Sequence, residues 1–161
     1  MTYSSKKNII AMAAGVLSIT AYIVYINIGN VPAPEDIAAW AKLMLVFIGA
    51  SIIGQIVIQI LFQITFSISV ALSENDMDSE KTKRTIRTLT MEDERDKLIN
   101  LKALRIGYSC VGIGLLAALF ALASGVSFIV ALHIVVGIAA LGSLIEGSIS
   151  VFFHERGVRN G

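Results

Sequence analysis

Four long apolar runs set the tightest limit on how this chain can fold. They cover residues 9–28, 43–73, 106–124 and 126–153. Because an α-helix rises about 1.5 Å per residue, about 20 apolar residues cross a hydrocarbon layer about 30 Å thick. The composition agrees, since 55% of the 161 residues are hydrophobic, 16% are charged and the mean hydropathy is +0.76. We therefore predict an all-α membrane protein with four transmembrane helices.

The basic residues predict how these helices are oriented. Of the 13 lysines and arginines, all except Lys42 lie at the N-terminus, between the second and third runs, or at the C-terminus. Cytoplasmic loops carry an excess of Lys and Arg. We therefore expect two antiparallel hairpins with cytoplasmic N- and C-termini in the inner or plasma membrane of a bacterium. The first run exceeds the apolar core of a signal peptide, about 7–15 residues, so we expect a retained helix.

The chain divides into three parts on this basis. Residues 1–73 are the first transmembrane hairpin, with helices expected at about 9–28 and 38–73. Residues 74–105 are a charged cytoplasmic connector, and residues 106–161 are the second transmembrane hairpin with a short basic tail. Both outer connections are too short to form a receptor domain.

The connector is predicted to have two halves. Residues 74–89 mix acidic and basic side chains with few apolar ones, so we expect them to be flexible or solvated. Thr90 is followed three residues later by an acid, as in a capping box, which predicts a helix from about residue 90 into the third span. The charged residues of this helix form a candidate surface for a cytoplasmic partner: Asp93, Glu94, Arg95, Lys97 and Lys102.

Two short motifs resemble a known group of proteins. The stretch 93–99, Asp-Glu-Arg-Asp-Lys-Leu-Ile, resembles a signature of small uncharacterised bacterial and archaeal four-helix integral membrane proteins with a membrane-proximal Asp-Glu-Arg motif. The ending at 154–157, His-Glu-Arg-Gly, is similar to a Tyr-Arg-Arg-Gly ending in related proteins. The resemblance covers residues 90–157. It implies a signalling role, because many such proteins are encoded beside small helix-turn-helix regulators. The first motif also fits an ordinary membrane-proximal helix cap.

A stripe of polar residues in the second run is one candidate for an intramembrane site. Ser51, Gln55, Gln59 and Gln63 follow one another at four-residue spacing, which places them on one face of a helix. Polar groups facing lipid lose hydrogen bonds that nothing replaces. The stripe is therefore expected either to form hydrogen bonds between helices or to line a hydrophilic path.

Glu146 is the second intramembrane candidate. It is the single charge in the fourth run and lies near small residues that include Ser143. An ionisable residue within a span is a functional candidate by default, because a buried charge is costly without a partner. Lys102 or Arg105 could alternatively give this acid a structural ion pair.

Several classes of chemistry have no support in the sequence. It contains no Ser-His-Asp set, glycine-rich phosphate loop, paired catalytic carboxylates or basic nucleic-acid patch. Cys110 is the single cysteine, so neither an intrachain disulfide nor a cysteine metal motif is possible. We expect no enzymatic activity, no metal, no cofactor and no direct nucleic-acid binding.

Three functional hypotheses follow. The first is a regulatory or sensor protein that binds a soluble cytoplasmic regulator through the connector. The second is a small oligomeric transporter or channel that uses Glu146 and the Gln55, Gln59 and Gln63 face. The third is an immunity or assembly factor that acts by helix packing. All three predict contact with membrane lipid and association with another copy or another membrane protein.

Overall fold

The computed structural model describes residues 3–29, 31–73, 80–91 and 93–156. Within these ranges every regular element is an α-helix. The helices are α1 (Tyr3–Ile28), α2 (Ile37–Ser73), α3 (Glu80–Thr90), α4 (Glu94–Ala123) and α5 (Phe128–Arg156). Four helical segments, which contain α1, α2, α4 and α5, are long and apolar enough to cross a membrane. The prediction of an all-α chain with four such helices is confirmed.

Helices α1 and α5 extend beyond their apolar runs at the ends where the sequence predicts no helix. Helix α1 begins at Tyr3 rather than near residue 9, and α5 continues to Arg156 rather than ending at 153. The added residues are mostly polar, so hydropathy does not include them, yet no Pro or Gly among them interrupts the helical hydrogen bonds. These polar extensions bring side chains from α1 and α5 to the same end of the molecule.

Of the two alternatives for residues 74–89, flexible or solvated, the part that the structure describes is an ordered helix with a largely exposed surface. Residues 80–90 form α3, which packs against α2 and α1. Thr82 is buried and Ile86, one turn later, is half-buried, so the packed face contains few strongly apolar residues. Hydropathy alone does not reveal this face, but the four-residue spacing of Thr82, Ile86 and Thr90 along an otherwise charged segment is an amphipathic helical pattern that the sequence contains. Residues 74–79 and the tail 157–161 lie outside the described residues.

The predicted helix start at Thr90 is wrong. Thr90 is the last residue of α3, and its hydroxyl donates a hydrogen bond to the carbonyl oxygen of Ile86 at 2.8 Å. Asp93 is instead the N-cap of α4, where its carboxylate accepts from the backbone N–H of Glu94 at 2.7 Å. The predicted continuity of this helix into the third apolar run is confirmed, because α4 extends unbroken from Glu94 to Ala123.

A tight turn joins α4 to α5. The N–H of Val126 donates to the carbonyl of Ala121, and the N–H of Gly125 donates to that of Leu122, both at 3.0 Å. This is the Schellman pattern, which requires a left-handed residue after the helix. Gly125 supplies it with a φ of +83°. In the first turn of α5, the N–H of Val130 donates to the Ser127 hydroxyl at 3.4 Å and the N–H of Ala131 donates to the Ser127 carbonyl at 3.1 Å.

Glycines let α4 and α5 approach very closely. A Cβ atom built on Gly114 would lie 2.5 Å from Cγ2 of Ile138, and one built on Gly142 would lie 3.2 Å from the carbonyl oxygen of Gly107. Close backbone approach of this kind is typical of helix pairs in membranes, where dispersion contacts replace the hydrophobic effect. Helices α4 and α5 are antiparallel, because Gly107 faces Gly142 and Gly114 faces Ile138.

Helix α1 packs against both α5 and α2. A Cβ on Gly147 would lie 2.5 Å from Cγ of Met12, which therefore fills the space beside that glycine. Towards α2, the ring of Tyr3 stacks on Phe62 with centroids 5.6 Å apart, and Tyr22 meets Phe47 edge-on at 5.1 Å. Helix α1 thus lies between α2 and the closely packed α4–α5 pair.

Most apolar side chains of the long helices point outward. In α2, Leu45 and Val46 are each 67% exposed, and in α4 Leu116 is also 67% exposed. A water-soluble protein of this size would bury such residues in a core. Outward apolar surface around a core of small residues is the arrangement expected of helices in lipid.

The close approach at Gly114 predicts a strong difference between two glycines of α4. Gly114→Ala forces the new methyl against Ile138 and should destabilise the protein by about 1–3 kcal/mol through overpacking. Gly112 has no atom within 4 Å of its built Cβ, so Gly112→Ala should be neutral or stabilising by up to about 1 kcal/mol. Unfolding of both purified variants in micelles measures the difference. Equal stabilities would contradict this packing.

Candidate functional site

Polar side chains from three helices meet where α1 and α4 begin and α5 ends. Each helix contributes two residues at i, i+4 spacing, which places them on one face of that helix. We call this set the polar cluster: Ser4 and Asn8 of α1, Asp96 and Asn100 of α4, and Ser150 and His154 of α5.

Ser150 lies at the centre of the deeper layer of the polar cluster. Nδ2 of Asn8 donates to the Ser150 hydroxyl oxygen at 2.7 Å, and that hydroxyl donates to Oδ1 of Asn100 at 3.1 Å. Ser150 is only 4% exposed. One hydroxyl therefore joins α1, α4 and α5, and it satisfies polar groups that would otherwise be buried without partners.

Asp96 joins the same three helices in the outer layer. The Ser4 hydroxyl donates to Oδ2 of Asp96 at 3.1 Å, and Nε2 of His154 lies 3.2 Å from its Oδ1. Nδ1 of His154 donates to the carbonyl oxygen of Ser150 at 2.7 Å. The contact between Nε2 and Asp96 is close enough for an ion pair when the ring carries both protons, although its angle is not that of a hydrogen bond. His154 is buried, so this contact is shielded from water.

A cavity of about 560 Å³ adjoins the polar cluster on the side of Glu146. Its volume is within the range of small-molecule sites, roughly 300–1,000 Å³. It combines one acid, one base and amides with an apolar wall. The lining residues are Asn8, Lys97, Asn100, Leu101, Ala103, Leu104, Glu146, Gly147 and Ser150.

Glu146 lies one helical turn deeper than Ser150, against the backbone of α4. A Cβ built on Gly107 would lie 2.8 Å from Oε2 of Glu146, so the carboxylate occupies the space that a side chain would take. Within the described residues, no lysine or arginine nitrogen lies within 4.0 Å of it. The ion pair that the sequence suggested with Lys102 or Arg105 is therefore not formed, and both of these side chains are exposed.

A smaller cavity of about 200 Å³ lies on the other side of the amide pair. It is lined by Tyr3, Ser4, Lys7, Asn8, Gln63, Thr90 and Asn100. Asn8 and Asn100 therefore line both cavities. The larger cavity contains Glu146, whereas Gln63 contributes to the smaller one, and the side chains of Asn8 and Asn100 stand between them.

The remaining residues of the predicted intramembrane site are placed separately. Nε2 of Gln55 would lie 3.8 Å from a Cβ on Gly15, so this part of the stripe faces α1, and Gln59 is half-buried. The Ser51 hydroxyl donates to the carbonyl of Phe47 at 2.7 Å in its own helix. The Ser143 hydroxyl likewise donates to Ala139 at 3.2 Å and is exposed.

The charged residues of the predicted docking surface have different environments. Asp93 caps α4, and Glu94 and Arg95 are exposed beside it. Lys97 lines the larger cavity, and Lys102 is exposed further along the helix. Asp93 therefore stabilises the helix start, whereas Glu94 and Arg95 remain available to a partner.

His133 belongs to a separate contact at the opposite end. The Tyr22 hydroxyl lies 2.9 Å from its Nε2, and its Nδ1 donates to the carbonyl of Ile129 at 2.8 Å. The ring of Trp40 packs edge-on at 5.2 Å. His133 thus connects α1, α2 and α5 by packing and hydrogen bonding, and it does not meet Glu146.

Sequence reasoning missed the polar cluster. Asp96 and Asn100 lie in the charged connector and His154 follows the fourth apolar run, so hydropathy gives no reason to expect them in contact. The signal in the sequence is that a polar i, i+4 pair recurs at three helix ends, all of which the predicted topology places on the same side of the membrane. A single pair is common on any solvated helix, so three pairs have to be considered together.

The described residues contain no group of three or more His, Cys, Asp or Glu side chains that could hold a metal ion. Comparison with protein-family models, curated proteins and solved structures finds no match for this chain. Functional inference therefore depends on the geometry of the polar cluster and of the two cavities.

The polar cluster predicts unequal roles for two serines of α5. Ser150→Ala removes the hydroxyl that joins Asn8 to Asn100 and should lower the free energy of unfolding by about 1–2 kcal/mol. Ser148 is exposed and bonds only the carbonyl of Leu144 in its own helix, at 2.7 Å, so Ser148→Ala should change stability by less than about 0.5 kcal/mol. Denaturant unfolding in micelles measures both. A Ser148 effect as large as that of Ser150 would exclude the proposed central role.

Proposed function

We propose that this chain is a regulatory or sensor protein of the cell membrane that binds a cytoplasmic partner through its connector. In this proposal α1, α2, α4 and α5 cross the bilayer as two hairpins with both termini in the cytoplasm. The observation that carries the proposal is the position of Asp96, which accepts a hydrogen bond from Ser4 of α1 and contacts His154 of α5, within one turn of the exposed Glu94 and Arg95.

The distribution of basic residues supports the orientation. The polar cluster brings the start of α1, the start of α4 and the end of α5 to one end of the molecule. The same helix ends carry Lys6, Lys7, Arg95, Lys97 and Arg156. A concentration of Lys and Arg at one end of a bundle is the pattern of a cytoplasmic face.

The contacts of Asp96 support coupling between the membrane helices and the connector. Asp96 is held by Ser4 and His154, and it lies in the first turn of α4. A displacement of α1 or α5 would change these contacts and so the placement of the helix start. Two sites are coupled when both bias the same structural element, and the first turn of α4 is such an element.

The exposed charges support docking at this helix start. Glu94 and Arg95 are exposed, and Leu98, one turn along α4 from Glu94, is 58% exposed. Charged groups around an apolar residue are typical of a partner surface, where they determine specificity and association rate. Transport ranks second, because Glu146 and Gln63 line different cavities in the described part of the chain.

Cysteine labelling tests the orientation. In a Cys110→Ala background, Glu35→Cys should react with a membrane-impermeant maleimide added to intact cells, because residue 35 is exposed in the α1–α2 connection. Glu94→Cys should react only after the cells are opened. Labelling of residue 94 in intact cells would overturn the proposed topology.

Photo-crosslinking tests the docking surface. A photoreactive amino acid at position 98 should capture a defined cytoplasmic protein, and one at position 45, on the apolar outer face of α2, should not. Combining Glu94→Arg with Arg95→Glu keeps the net charge and leaves the Asp93 cap in place. We expect it to reduce the yield at position 98 at least tenfold, because misplaced like charges oppose binding.

The matched control exchanges charges at the other end of the molecule. Glu35→Lys combined with Lys42→Glu should leave the cross-link at position 98 unchanged. If the Glu94 and Arg95 exchange also leaves it unchanged, or if position 98 captures only lipid or another copy, the proposed docking role is excluded.

A further inference from the structure

We propose that the cavity beside Glu146 binds a small organic ammonium ion with an apolar tail, the ammonium group contacting the Glu146 carboxylate. This inference goes beyond the proposed docking of a cytoplasmic partner and does not depend on it. The cavity is formed by α1, α4 and α5, and the docking charges Glu94 and Arg95 do not line it.

The inner end of the cavity is suited to a cation. Glu146 is half-buried, and the facing residue of α4 is Gly107, which leaves the carboxylate oxygen against backbone. Among the described residues its carboxylate has neither a basic partner within 4.0 Å nor a hydrogen bond. A carboxylate withdrawn from water is stabilised by a cation that replaces the lost hydration. A ligand ammonium group can supply that charge and donate hydrogen bonds.

The wall of the cavity selects an organic ion over an inorganic one. Hard metal ions require several oxygen ligands, about six for Mg²⁺ and 6–8 for Ca²⁺. Glu146 is the single carboxylate in the lining. The side chains of Asn8 and Asn100 are already bonded to Ser150. One carboxylate next to apolar side chains instead suits an ammonium group with a hydrocarbon tail.

The outer wall provides the apolar contact and the entrance. Leu101 is 61% exposed and Leu104 is 38% exposed, and both line the cavity on the outward side of α4. If α4 spans the membrane as proposed, these leucines lie near the bilayer surface, where amphiphilic amines concentrate. Lys97 also lines the cavity, but it lies more than two helical turns along α4 from Gly107 and its ammonium nitrogen is more than 4.0 Å from the Glu146 carboxylate.

Binding of n-hexylamine to the purified full-length protein in nanodiscs tests this inference. Equilibrium dialysis of radiolabelled n-hexylamine, with empty nanodiscs subtracted, measures the bound fraction. We expect saturable binding to the wild-type protein and at least tenfold weaker binding to Glu146→Gln, which retains the shape of the side chain and removes its charge. Two analogues with the same six-carbon chain and no ammonium group, n-hexanol and n-hexanoate, should not compete.

Glu155→Gln is the matched control, because Glu155 is an exposed acid of α5 that does not line the cavity. It should bind n-hexylamine as the wild-type protein does. Thermal unfolding confirms that each variant is folded. The inference is overturned if n-hexylamine does not bind, if Glu146→Gln binds it equally well, or if n-hexanoate competes. Because no partner protein is present, failure here is distinct from failure of the docking proposal.

Discussion

Polar groups at the end of an apolar helix bundle need partners inside the protein, and Ser150 meets this requirement for three helices at once. Its hydroxyl accepts from Asn8 of α1 and donates to Asn100 of α4, and its backbone carbonyl accepts from His154. The hydrophobic effect gives little direction to helices surrounded by lipid, so hydrogen bonds of this kind fix the relative position of the helices. The Ser150 hydroxyl bonds both members of the amide pair, Asn8 and Asn100, which line the two cavities.

The second constraint is the absence of side chains at the contact between α4 and α5. Gly107 and Gly142 bring the two backbones together, and Gly107 also leaves the space into which the Glu146 carboxylate projects. The same glycine therefore serves packing and places an acid beside a cavity. A larger residue at position 107 would displace the Glu146 carboxylate and also separate the two helices. A substitution there would therefore change the helix packing and the candidate binding site together.

The apolar runs were sufficient to predict the four long helices, because helix length in a membrane follows from hydrocarbon thickness. The ends of the helices were less accessible to prediction. Thr90 and Asp93 both have side chains that can cap a helix. Thr90 ends α3, which packs on α1 and α2, and Asp93 begins α4, whereas the local sequence does not distinguish the two roles. Glu146 was found as an isolated charge in an apolar run. The polar cluster was not found, because Asp96 and His154 become neighbours only after α4 and α5 pack together.

The turn at Gly125 has a mechanical implication for the molecule. The Schellman hydrogen bonds hold α4 and α5 together at the Gly125 turn. The close approach of Gly107 and Gly142 holds the same two helices together further from that turn. The two helices should then move as one rigid unit, which contacts α1 through Met12 against Gly147 and through the polar cluster. Any tilt of this unit would carry the first turn of α4 with it, without bending of the helix itself.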